Sequence, residues 1–83
     1  MNTELIEQLD AVLAQVRAEV IRARTKHKAM NSPHEGYAVL KEEVDELWEE
    51  IRRDNGRELS ALEEATQVAA MGVRYVMDMQ AAG

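Results

Sequence analysis

The only proline in the chain, Pro33, lies in Asn31-Ser32-Pro33-His34-Glu35-Gly36, and this stretch decides how the chain divides. Ser32 can accept a hydrogen bond from a backbone N–H at a helix start. Glu35 follows three residues later, which is the spacing of a capping box. Proline at the first helical position loses no intrahelical bond, because that N–H has no partner in a helix anyway. A helix therefore starts at Pro33. Asp54-Asn55-Gly56 ends it, since Asn and Gly tolerate the left-handed conformation that closes a helix. No segment on either side alternates with the period of a strand.

The first segment predicts a helix over about Thr3 to Ala29, with Thr3 as a possible cap. Ile6, Leu9, Leu13, Val16, Val20 and Ala23 recur every three or four residues along it and form a narrow apolar seam. The second helix reaches about Asp54. Leu40, Val44, Leu47 and Ile51 are its expected buried stripe, flanked by Tyr37 and Trp48. The third begins between Arg57 and Ser60 and reaches about Gln80. Leu59, Leu62, Thr66, Ala69, Val73 and Val76 make one seam on it, and Val68, Met71, Tyr75 and Met79 make another.

A helix that is apolar on two sides has more than one neighbour. In a chain of 83 residues the missing neighbour is expected to be a second copy. Ala65, Ala69, Ala70 and Gly72 would permit close helix approach, and the five methionines suit gap filling at an interface. A domain this small buries only ~60% of its unfolded surface. With no cysteine, oligomerisation or a bound ion remains as reinforcement. The expectation is an all-α helical bundle of about three helices per chain, a single domain over residues 1–83, completed by oligomerisation to a homodimer or homotetramer.

Sixteen acids against ten Lys and Arg give a net charge of −6. That balance argues against nucleic acid as a partner. No apolar run approaches the ~20 residues that span a bilayer, which argues against a membrane partner. Met1 is followed by Asn2, Thr3 and Glu4, without the basic and apolar regions of a secretory signal. A cytoplasmic protein is expected.

The acids are concentrated between His34 and Ile51. On a helical wheel the apolar stripe centres between Leu40 and Val44. Glu43 falls at its edge, Glu50 and Glu46 next, Glu42 further out, and Asp45 and Glu49 towards solvent. Glu43 and Glu46 are neighbours one turn apart, and so are Glu64 and Gln67 on the third helix. Glu64 shares its face with Val68, Met71 and Tyr75, a poor place for an unpaired charge. Two carboxylates ~5 Å apart repel by ~3 kcal/mol at an effective dielectric near 20. A hard cation such as Mg²⁺ would remove that penalty. The plain alternative is a charged helix surface. The absence of a Glu-x-x-His pair argues against a di-iron carboxylate bundle.

Here the residues resemble a known family. Glu42-Glu43-Val44-Asp45-Glu46 is similar to the Glu-Glu-x-x-Glu motif of MazG-like nucleotide pyrophosphohydrolases, of the all-α NTP pyrophosphatase superfamily. The family's second motif is Glu-x-x-Asp on the next helix. Glu63-Glu64-Ala65-Thr66-Gln67 occupies its place, seventeen residues after Glu46. The resemblance covers roughly Ser32 to Val76 and departs at Gln67, where Asp would stand. It implies hydrolysis of nucleoside triphosphates, dNTPs in particular, to monophosphate and pyrophosphate, with Mg²⁺ (or Mn²⁺) as cofactor. It implies Glu43, Glu46, Glu64 and Gln67 as metal ligands and Glu42 or Glu46 as general base. Gln67 offers a carbonyl oxygen without the charge, with Asp78 as a distant substitute. The alternative is a non-catalytic MazG-like helical dimer that binds a nucleotide or a protein.

Several residues carry two readings. Arg22, Arg24, Lys26, His27 and Lys28 suit the negative end of the first helix dipole; the alternative is a phosphate-binding patch, with Lys26 and Lys28 as its phosphate contacts. Arg74 could join them, or form an ion pair with Asp78 one turn away. His34 either belongs to the capping turn or contacts a phosphate or base. Tyr37 and Trp48 either stack on a base or pack in a core or interface.

Overall fold

The computed structural model describes residues 2–82. Met1 and Gly83, the ends of the expected domain, lie outside them. Three helices follow in order: α1 (Thr3–Lys26), α2 (Pro33–Asp54) and α3 (Leu59–Ala82). The fold is an all-α bundle with no strand among the described residues. No helix is long and apolar enough to cross a membrane.

Local chemistry sets most boundaries. Ser32 caps α2, its hydroxyl accepting from the Glu35 N–H at 3.1 Å, with Pro33 in the first turn. Asn55 (φ 77°) and Gly56 (φ 81°) close α2 in the left-handed region, and the Asn55 N–H donates to the Ile51 carbonyl at 3.0 Å. Two expectations need correction. Asn2, not Thr3, caps α1: its Oδ1 accepts from the Leu5 N–H at 3.0 Å, as Asn does at least as readily as Thr. And α1 stops at Lys26 rather than Ala29, because α3 seizes the chain beyond it. Asp78 accepts from the Met30 N–H at 2.8 Å, and Arg74 donates to the Lys28 carbonyl at 3.2 Å. Asp78 also pairs with Arg24 of α1, so the expected Arg74–Asp78 pair does not form.

Helix α3 is the middle layer. It packs on α2 and on α1, whereas no Cα of α1 comes within 8 Å of one in α2. The core is small: Val16 and Val20 of α1, Met30, and Ala70 and Met71 of α3, with Val39, Leu40 and Tyr75 against them. Gly36 permits the close approach of α2 to α3, since a Cβ there would collide with the Tyr75 ring.

The inner face of α2 keeps Leu40, Leu47 and Ile51 of the expected stripe but turns Val44 out and Glu43 and Glu50 in. Its partly or fully buried line is Gly36, Leu40, Glu43, Leu47, Glu50 and Ile51, while Val44 is 47% exposed and Trp48 56% exposed. Tyr37 also faces outward. On α3 the second expected strip, Val68, Met71, Tyr75 and Met79, is the covered one. Glu64, Gln67, Arg74 and Asp78 lie on its covered side, and Leu59, Leu62, Val73 and Val76 lie outside. In α1, every residue from Thr3 to Gln15 is exposed, including Leu5, Leu9 and Leu13 of its apolar side.

Candidate functional site

The rotation of α2 puts Glu43 where a core residue would sit, one turn from both Leu40 and Leu47. Glu46 is one turn further, at the rim. Across the interface Glu64 occupies the corresponding turn of α3, between buried Ala61 and half-buried Val68. Carboxylate oxygens of Glu43, Glu46 and Glu64 all lie within 4.8 Å of one another. Burial pushes the Glu43 carboxyl up to about 7, and the charges of Glu46, Glu64 and Glu42 push in the same direction. Glu64 is raised too, first by burial and then by Glu46. One Glu64 oxygen, Oε2, is buried with no hydrogen-bond partner.

Three close carboxylates with an orphaned oxygen fit a cation. The donor set is all carboxylate oxygen, which suits a hard ion such as Mg²⁺ or Mn²⁺ rather than a soft one. Of the four residues expected as ligands, three are brought together. Gln67 is half-buried one turn along α3, and its amide nitrogen donates to Glu19 of α1.

Beside the trio, α1 and α2 stand apart and leave a cleft of about 570 Å³ floored by Gln67, Met71 and Arg74 of α3. The α2 wall carries Glu42 and Glu43, and the opposite wall carries Glu19, Arg22 and Lys26. The loop after α1 adds Lys28. Lys26 and Lys28, expected to meet phosphate, are therefore on the cleft. Arg74 is too, at only 4% exposure, with its Nε buried and without a partner. Glu42, expected as a base, is exposed on the cleft wall outside the trio. His34 is exposed and does not line the cleft.

Arg22 belongs to the basic cluster already named, but Glu19 was not singled out by the sequence pattern, although it follows Val16 by one turn and directly precedes Val20 on the buried side of α1. Arg22 grips Glu19 through Nε (3.1 Å) and Nη2 (2.8 Å), and that bond holds the Glu19 carboxyl below its usual range.

Compared with protein families, with curated proteins and with solved structures, the chain found no match. What the fold and site define is a three-helix chain with a carboxylate trio at the edge of a cleft of mixed charge.

Proposed function

We propose that this chain is a metal-dependent hydrolase that converts nucleoside triphosphates, dNTPs above all, to monophosphate and pyrophosphate. The observation that carries the reading is the charge pattern of the cleft: Glu42 and Glu43 on one wall, and Lys26 and Lys28 on the other side beside the Arg22–Glu19 pair, with the trio adjoining. A polyphosphate alone would be repelled by the acidic wall. A polyphosphate carrying a divalent cation complements both walls. The volume lies within the roughly 300–1,000 Å³ range of small-molecule sites.

In this reading Glu43, Glu46 and Glu64 hold Mg²⁺ or Mn²⁺. The bound ion supplies neutralisation of phosphate charge and activation of water for in-line attack on the α-phosphorus. Glu42 stands outside the trio and can take the proton from that water; Glu46 is the second candidate for this role. Lys26 and Lys28 balance phosphate charge. Arg74 holds the Lys28 carbonyl and so sets the loop that carries Lys28 to the cleft. The setting implied is cytoplasmic.

The working form in this reading is a homodimer or homotetramer. Leu62, Val73 and Val76 on the outer side of α3, together with the exposed half of α1, form the surface that a second copy would cover.

The test is release of pyrophosphate from a panel of NTPs and modified and ordinary dNTPs with Mg²⁺ or Mn²⁺. Release should be lost with EDTA and in Glu43→Gln and Glu46→Gln. No release from any substrate would overturn the enzyme reading in favour of a nucleotide- or protein-binding dimer.

A further inference from the structure

The position one turn after Glu64 is neutral, and α1 supplies a reason. Gln67 donates its amide nitrogen to Glu19 Oε2, the same oxygen that Arg22 Nη2 reaches at 2.8 Å. An ionised carboxylate only accepts hydrogen bonds. It therefore selects the NH₂ end of the Gln67 amide, so the carbonyl oxygen Oε1 is the end turned away from Glu19. An Asp at this position would instead set a second carboxylate against Glu19. Both Glu19 oxygens already accept from Arg22, and Glu19 is not among the clustered trio, so it does not behave as a ligand itself.

We propose that Glu19 is a positioning residue of the cation site, which turns the Gln67 amide so that Oε1 serves as a neutral ligand beside Glu43, Glu46 and Glu64. The proposal rests on the metal reading above. It moves a negative charge from the third helix to the first and makes the neutral residue at 67 part of a working pair. Arg22 belongs to the same chain of contacts. It holds both Glu19 oxygens, through Nε at 3.1 Å and Nη2 at 2.8 Å, and so fixes the carboxylate that Gln67 meets.

The test measures binding of Mn²⁺ alone, by electron paramagnetic resonance and calorimetry, with no substrate. Glu19→Ala should weaken Mn²⁺ binding by about tenfold, the lower end for loss of a residue that orients a metal ligand. Glu19→Gln keeps the shape, loses the grip of Arg22, and should weaken it by less. In a Gln67→Asp background the sign should reverse: Glu19 now repels a carboxylate ligand, so Glu19→Ala should tighten binding. A role limited to holding the fold would weaken binding alike in both backgrounds, and that result would overturn the proposal. So would an unchanged Mn²⁺ affinity in Glu19→Ala and Glu19→Gln when both melt like the wild type. If the wild type itself binds no Mn²⁺, the metal reading falls as well; if only the Glu19 effects are missing, the metal reading stands and Glu19 has no part in it.

Discussion

The carboxylate trio should make the metal-free protein less stable than its neutralised variant, and Glu43→Gln measures by how much. Glu43 is lifted from 4.5 to about 7 by burial and by Glu46, Glu64 and Glu42. Between those values the folded chain binds a proton that the unfolded chain does not. Stability is therefore fully present below about pH 4.5 and is lost as pH rises through about 7. Each tenfold gain in proton affinity on folding corresponds to about 1.4 kcal/mol, which sets a ceiling near 3 kcal/mol. Water reaches this half-buried group, so the net figure is about 1–2 kcal/mol. Gln has the shape of Glu without the charge. In EDTA at pH 8, Glu43→Gln should melt roughly 5–10 °C above the wild type, from the usual sensitivity of a domain this size. The gap should close as pH falls towards 5. Glu19, held below its usual range, titrates beneath this window and leaves it clear. Added Mn²⁺ should raise the melting temperature of the wild type more than that of the variant. The measurement is circular dichroism melting at pH 5 to 8, with and without Mn²⁺. A variant less stable than the wild type at pH 8 in EDTA would refute the reasoning, as would a metal-free wild type that melts higher at pH 8 than at pH 5.

Three further perturbations probe the frame. Gly36→Ala would gain about 1 kcal/mol from helix propensity, but its Cβ would strike the Tyr75 ring; a net loss of about 1–2 kcal/mol is expected in urea unfolding, and a gain would show that α2 and α3 do not approach as described. Asp78→Ala leaves the Met30 N–H and the Arg24 guanidinium without their acceptor; because Arg24 is partly in water the loss should be about 2–3 kcal/mol, against under 1 kcal/mol if the pair were a surface one. Val73→Glu places a charge on the outer seam of α3, where Val73 is 41% exposed in the single chain. Sedimentation should show a shift to monomer with helicity retained, and an unchanged sedimentation profile would remove this seam from the proposed interface.

How far the fold was legible follows from the range of the interactions involved. Ser32 and Asn55 act on partners three or four residues away, so the borders of α2 could be read directly. The end of α1 could not. It is decided by Arg74 and Asp78, which hold the loop from 46 and 48 residues away. The rotation of α2 was hidden for a different reason. Hydropathy places Val44 inside and Glu43 at the edge, because it scores transfer to an oily environment. The surface that α2 meets is not oily: α3 turns Glu64 towards it and Gly36 brings Tyr75 close. The carboxylate motif could be seen as spacing, while its inward direction depended on the partner helix.

Gln67 shows where the pattern of a motif and the physics of a site part company. Read along α3 alone, it is a neutral residue one turn from Glu64. Its partner lies 48 residues earlier on α1, and nothing in the spacing of either helix points to the other. Yet the consequence is one of charge balance. The covered face already holds Glu43 and Glu64, both pushed towards protonation. A further acid at 67 would face them and Glu19 together, and some of these groups would have to take up protons and lose value as ligands. A neutral amide anchored by an ionised, Arg-bound Glu19 adds an oxygen without adding to that repulsion. If the proposed cation site exists, a neutral residue at 67 would let three close carboxylates stay available to it near neutral pH.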